Sequence, residues 1–181
     1  METNLCVAGF GGQGVMTLGK FLAEAACESS DQNVTFFPSY GAEQRGGTAN
    51  CFVVISDGDI GAPLGDVMDD LIVMNEPSLN KFLRTLKPRG RLFINSSIVK
   101  EKIQRDDITV IKAPVTELSL ELGNAKVLNV IMLGVYVGYT GILEQELVWG
   151  IIEHKLGSKP KLLPLNRKAF EIGLELGKAQ R

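Results

Sequence analysis

The sequence predicts an α/β fold with a mostly parallel sheet flanked by helices, and three observations carry that expectation. Short apolar runs of strand length alternate with longer stretches whose apolar residues recur at helical spacing. The first run, Leu5 to Phe10, ends in the turn Gly9-Phe10-Gly11-Gly12-Gln13-Gly14 and enters a helical stretch, the strand–turn–helix opening of a Rossmann-like nucleotide-binding unit. Finally, 181 residues suffice for one well-buried domain, and without repeats, charge blocks or linkers residues 1–181 are assigned to a single domain.

From Gly12 onward Val15, Leu18, Phe21, Leu22, Ala25 and Ala26 keep helical spacing to about Cys27. Asn33 to Pro38 reads as the second strand, and Ala49 to Ser56, rich in β-branched and aromatic residues, as the third. Between them Gly41, Gly46 and Gly47 would break a helix, so a regular β-α-β repeat is not expected there. Asp57 to Asp69 reads as a loop, and the crowded carboxylates Asp57, Asp59, Asp66, Asp69 and Asp70 as a solvated acidic face rather than a metal site. Leu71 to Met74 is the fourth strand, and Pro77 to Leu86 a helix with proline in its first turn. Lys87-Pro88-Arg89-Gly90 reads as a turn, Arg91 to Asn95 as the fifth strand and Ile108 to Lys112 as the sixth.

Val115 to Leu122 and Lys126 to Tyr139 follow as helices, the second apolar on nearly every face. Its apolar run is shorter than the roughly 18 residues of a membrane span, so burial inside protein is expected. Gly134 and Gly138 let another helix come close to it, either in this core or on a partner. Gln145 to Leu156 and Leu165 to Lys178 complete the chain as helices with one apolar face.

Composition narrows the function classes. With 45% hydrophobic and 22% charged residues the chain reads as globular, and 19 basic against 21 acidic residues, net charge -2, leave no electrostatic case for nucleic acid. Met1-Glu2-Thr3-Asn4 lacks the basic start of an export signal, so a cytoplasmic location is expected. Cys6, Cys27 and Cys51 read as small buried hydrophobes, and with no Cys-x-x-Cys neither an iron–sulfur cluster nor structural zinc is expected in this chain. His154, the single histidine, falls on a predicted surface helix.

Gly9-x-Gly11-x-x-Gly14 after a strand matches the fingerprint that seats a pyrophosphate on helix-start amides. The acidic residue that holds the ribose in that fingerprint is missing, because the second strand ends Phe37-Pro38-Ser39, so a nicotinamide or flavin dinucleotide is disfavoured. A P-loop reading of Gly14 to Phe21 fails because Phe21 stands where a magnesium-ligating hydroxyl belongs. In the second glycine-rich stretch the planar fork of Arg45 suits a phosphate or carboxylate. The candidate binding residues are therefore Gly9, Gly11, Gly12, Gln13 and Gly14, with Ser39, Tyr40, Gly41, Arg45, Gly46, Gly47 and Thr48. No nucleophile, base and orienter set is readable, so no catalytic or metal-ligating residue is assigned; binding loops without reactive groups suit a subunit.

Three segments carry a resemblance: Gly9-Phe10-Gly11-Gly12-Gln13-Gly14-Val15, then Pro38-Ser39-Tyr40-Gly41-Ala42-Glu43-Gln44-Arg45-Gly46-Gly47-Thr48-Ala49-Asn50-Cys51, then Asn129-Val130-Ile131-Met132-Leu133-Gly134. In order and spacing the chain resembles the gamma subunit of the 2-oxoacid:ferredoxin (acceptor) oxidoreductases. The resemblance implies a complex that decarboxylates a 2-oxoacid on thiamine diphosphate and magnesium, passes electrons through iron–sulfur clusters to ferredoxin, and hands the acyl group to coenzyme A. It implies alpha, beta and ferredoxin-like subunits as partners. The thiamine site is implied to lie between alpha and beta, and the gamma chain to help shape the coenzyme A side. The second segment looks closest to the 2-oxoisovalerate and 2-oxoglutarate members. In this chain alone no cofactor is assigned with certainty. Two alternatives stay open: the glycine loops serve only to dock partner subunits, or the chain is a free-standing nucleotide-binding or regulatory module. Self-association of the isolated chain and the absence of a membrane span are also expected.

Overall fold

The computed structural model describes residues 1–29, 31–40 and 48–181. Six strands, β1 (Glu2–Phe10), β2 (Asn33–Tyr40), β3 (Thr48–Ser56), β4 (Met68–Val73), β5 (Leu86–Asn95) and β6 (Thr109–Ala113), form one sheet ordered β2-β3-β1-β4-β5-β6. β1, β4, β5 and β6 pair in parallel, whereas β3 runs antiparallel to both β1 and β2. The expected mostly parallel α/β sheet is present, and β3 is the one reversed strand among the described residues.

Six α-helices lie among the described residues: α1 (Val15–Glu28), α2 (Glu76–Phe82), α3 (Val115–Glu121), α4 (Leu128–Thr140), α5 (Gln145–Leu156) and α6 (Leu163–Ala179). Strand side chains alternate between faces and so feed two cores. Leu5, Val7, Ile72 and Phe93 meet residues of α1, α4, α5 and α6 on one face; Cys6, Ala8, Leu71 and Leu92 meet Leu79 and Phe82 of α2 on the other. None of the described helices is long and apolar enough to cross a membrane.

The glycines of α4 are used within the chain. α4 is buried from Leu128 to Gly138; Gly134 meets the backbone of Phe170, Gly173 and Leu174 of α6, Gly138 that of Leu174, and Gly177 of α6 that of Val135 and Tyr139. A Cβ at Gly173 would stand 2.1 Å from the Ile131 carbonyl oxygen, and one at Gly177 2.2 Å from that of Val135. The two backbones therefore touch directly, a spacing only glycine allows. No partner helix is needed to account for Gly134 and Gly138.

Other expectations need correction. Asp70 is not part of a solvated acidic face: it is 0% exposed, its carboxylate accepting from Arg91 Nε at 2.5 Å and Nη2 at 2.7 Å and from the Tyr136 hydroxyl at 2.7 Å. A carboxylate survives there because a two-pronged guanidinium and a hydroxyl replace the water it loses. Burial first, then the Asp70 charge, push the Tyr136 phenol well above its ordinary value. The helix expected to reach Leu86 ends at Phe82, followed by a 3-10 turn over Leu83–Thr85. The expected turn at Lys87 to Gly90 is an irregularity inside β5, where pairing jumps from Met68↔Leu86 to Asp70↔Arg91 and Arg89 takes a φ of 63°. Cys27 is exposed near the end of α1, unlike Cys6 and Cys51; burial raises the last two thiols, Cys51 to about 12. His154 is exposed, as expected.

Candidate functional site

The candidate site is the rim formed by the carboxyl ends of the parallel strands. β1 ends at Phe10, a 3-10 turn covers Gly11–Gln13, and Gly14 enters α1 with a left-handed φ of 68° that a side chain would strain. No side chain caps α1, so the donors of its first turn retain the positive end of the helix. Asn129 at the start of α4 donates to the Gly14 carbonyl at 3.3 Å, and a Cβ on Gly14 would collide with that same side chain.

The four glycine-turn candidates besides Gly14 divide into three groups. Gly11 and Gly12 are exposed, and a Cβ at either would meet none of the described residues within 4 Å, so those residues leave their backbone open. Gly9 is buried, and a Cβ there would meet Gln13, Met74 and Val15 at 2.7–2.8 Å; packing explains that glycine. The Gln13 carboxamide is consumed within the protein: its oxygen accepts from Phe10 N at 2.8 Å and Asn75 Nδ2 at 3.2 Å, and its nitrogen donates to the Met74 carbonyl at 2.9 Å. Asn75, fully buried, also caps α2 by accepting from Ser78 N at 2.9 Å.

The second group of candidates approaches the same rim. Phe10 pairs with Thr48, Gly9 with Ala49, and Ala49 with Tyr40 across β3. Thr48, half-buried, therefore stands next to the glycine turn, while Ser39, also half-buried and paired with Asn50, lies on β2 beyond β3. Gly41, Arg45, Gly46 and Gly47 lie outside the described residues.

Beside the turn opens a cleft of about 410 Å³ whose polar lining comes from Gly14, Thr17, Asn124, Lys126, Asn129 and Asn166. Asn124 accepts from Lys126 N at 3.0 Å and Asn166 donates to the Leu162 carbonyl at 2.8 Å, so both carboxamides are held in place. The combination of amides, one lysine and an apolar floor including Phe21 and Val130 suits a ligand with both anionic and apolar parts. Sequence reading did not assemble this cleft, because its residues come from the starts of α1, α4 and α6. Of its residues, Gly14 was a candidate from sequence, and Asn129 and Val130 fell within the segment ending at Gly134. Among the described residues no group of three or more His, Cys, Asp or Glu side chains could hold a metal ion.

Comparison with known proteins is in keeping with this architecture. Residues 4–176 match the family described as pyruvate ferredoxin/flavodoxin oxidoreductase. The chain is 36% identical over 176 residues to the ketoisovalerate oxidoreductase subunit VorA of Methanothermobacter marburgensis, covering 96% of this chain and 36% of that protein. It thus spans about a third of that relative's length. Against the 2-oxoglutarate synthase subunit KorC of Methanocaldococcus jannaschii it is 31% identical over 180 residues, covering 97% of this chain and 96% of the relative. The crystal structure of the keto/oxoacid ferredoxin oxidoreductase gamma subunit from Geobacter sulfurreducens superposes with a TM-score of 0.88 at 26% identity, over 99% of this chain and 98% of that one.

Proposed function

Because the chain belongs to the pyruvate ferredoxin/flavodoxin oxidoreductase family, with the fold of its gamma subunits, we propose that it acts as the gamma subunit of a 2-oxoacid:ferredoxin oxidoreductase. In this reading it contributes to assembly with alpha, beta and ferredoxin-like subunits and forms part of the coenzyme A side of the complex. Two relatives named for ketoisovalerate and 2-oxoglutarate support a 2-oxoisovalerate or 2-oxoglutarate substrate over pyruvate.

The pairing of Phe10 with Thr48 carries the proposal, since it sets the end of the second glycine-rich stretch beside the first at the rim. Coenzyme A, when bound, supplies the thiol that accepts the acyl group. The groups of this chain that fit its phosphates are the open amides of Gly11 and Gly12 and the guanidinium of Arg45, because each presents donors and none presents an acceptor charge. In this reading thiamine diphosphate, magnesium and the iron–sulfur clusters belong to the partner subunits.

The test is Arg45→Ala in the reconstituted complex, with the Michaelis constant for coenzyme A measured alongside that for the 2-oxoacid. The coenzyme A constant is expected to rise about tenfold or more, the factor that accompanies loss of a charge-assisted hydrogen bond. An unchanged constant in an intact complex would leave the loops a docking role only.

A further inference from the structure

The winding of the sheet reverses between β1 and β4: α1, which leaves β1, packs on one face, and α2, which leaves β4, on the other. In open α/β sheets the strand ends flanking such a reversal splay apart into a crevice that ligands enter. Here the Gln13 carboxamide fills that crevice. It bonds to Phe10 N on the β1 side, and to the Met74 carbonyl and Asn75 Nδ2 on the β4 side. The packing around it leaves no room for a methyl group on Gly9.

Among the described residues, little else holds the turn that Gln13 closes. None of Gly11, Gly12 and Gln13 is buried, and the two glycines offer no side chain to pack. Glycine loses more backbone freedom on ordering than any other residue, so a fixed pair of exposed glycine amides needs an external anchor. Gly14 is anchored on its α1 side by Asn129, and Gln13 supplies the anchor toward β4 and α2.

We propose that Gln13 is a positioning residue: it touches no ligand, and it fixes the amides of Gly11 and Gly12 by stopping the crevice between β1 and β4. The inference rests on the reading of this rim as the coenzyme A side. It also accounts for a dinucleotide-type fingerprint that lacks the ribose-binding carboxylate, since the space beneath the turn is taken by the protein's own side chain.

Gln13→Met keeps the volume and removes all three hydrogen bonds. In the reconstituted complex it is expected to raise the Michaelis constant for coenzyme A about tenfold, the factor associated with losing one well-placed hydrogen bond, while leaving that for the 2-oxoacid unchanged. Gln13→Asn keeps a neutral carboxamide but is one methylene too short to hold all three bonds, so a rise in the coenzyme A constant is expected here too, and it serves as the test if Gln13→Met fails to assemble. Gly12→Val, whose side chain enters open space, reports on the rim directly. Should Gly12→Val raise the coenzyme A constant while both Gln13 variants leave it alone, the positioning role is refuted and the rim reading survives. If Gly12→Val changes nothing either, the coenzyme A reading falls and this inference with it.

Discussion

Gly173→Ala adds one methyl group to the seam between α4 and α6, and the structure fixes where it would go. The new Cβ would stand 2.1 Å from the Ile131 carbonyl oxygen, 2.9 Å from Gly134 Cα and 2.9 Å from Val135 N. All three are backbone atoms, so no rotamer change relieves the clash, and the helices must separate by about an ångström to reach ordinary contact. A gap of that size forfeits roughly a quarter to a half of each dispersion well along the seam. Overpacking typically costs about 1–3 kcal/mol, and a clash with backbone alone belongs at the upper end, about 3 kcal/mol, while replacing a mid-helix glycine by alanine returns roughly 1 kcal/mol. The net expectation is a loss of about 2 kcal/mol, and at about 2–4 °C per kcal/mol for a chain of this size the thermal midpoint falls by about 4–8 °C. Gly150→Ala on α5 is the matched control: that glycine is exposed, its Cβ would meet nothing within 4 Å, and the same substitution is expected to stabilise by about 1 kcal/mol. Circular-dichroism melts of both variants beside the parent protein decide the matter. If Gly173→Ala melts at or above the parent, the close approach of α4 and α6 is wrong.

Two further outcomes follow from the buried polar groups. Tyr136→Phe leaves the fully buried Asp70 with Arg91 alone, and losing a hydrogen bond to a charged acceptor costs about 1.5–3 kcal/mol, a difference that a urea titration resolves; an unchanged midpoint would show that the hydroxyl contributes nothing. Alkaline stability has a definite sign. Tyr136, Cys6 and Cys51 all hold their protons above their ordinary values of 10.0 and 9.0 because burial disfavours the charged forms. The unfolded chain sheds those protons first, so the folded state binds more, and the stability present below pH 9 declines as pH rises through the window up to about 12 for Cys51. Each group contributes at most about 1.4 kcal/mol per pH unit. Urea midpoints that stay level between pH 8 and 11 would contradict the burial of these three side chains.

Much of the fold was legible because its signals are local. The Gly9 to Gly14 turn between an apolar run and a 3.6-residue period identified β1 and α1, and three helix-breaking glycines between two strand-like runs signalled a departure from a regular β-α-β repeat between β2 and β3. What was hidden depends on partners far away in sequence. Asp70 looked solvated because Arg91 stands 21 residues on and Tyr136 66 residues on. The glycines of α4 were open to two readings because their counterparts, Gly173 and Gly177, sit on another helix. Gln13 read as a ligand-facing residue, whereas its partners at Met74 and Asn75 lie 61 and 62 positions away. Local pattern reveals which backbone is exposed at the rim; it does not reveal which side chains are already committed to holding that rim together.

The antiparallel course of β3 has an engineering consequence. Pairing runs without interruption from Asn33↔Ser56 to Tyr40↔Ala49, so both roots of the intervening segment are clamped about one strand spacing, roughly 4.8 Å, apart. Closing a longer connection across such a gap is cheap, about 0.6 kcal/mol for each doubling in length. Segments of other lengths can thus be transplanted between these two roots while the flanking strands keep the same register.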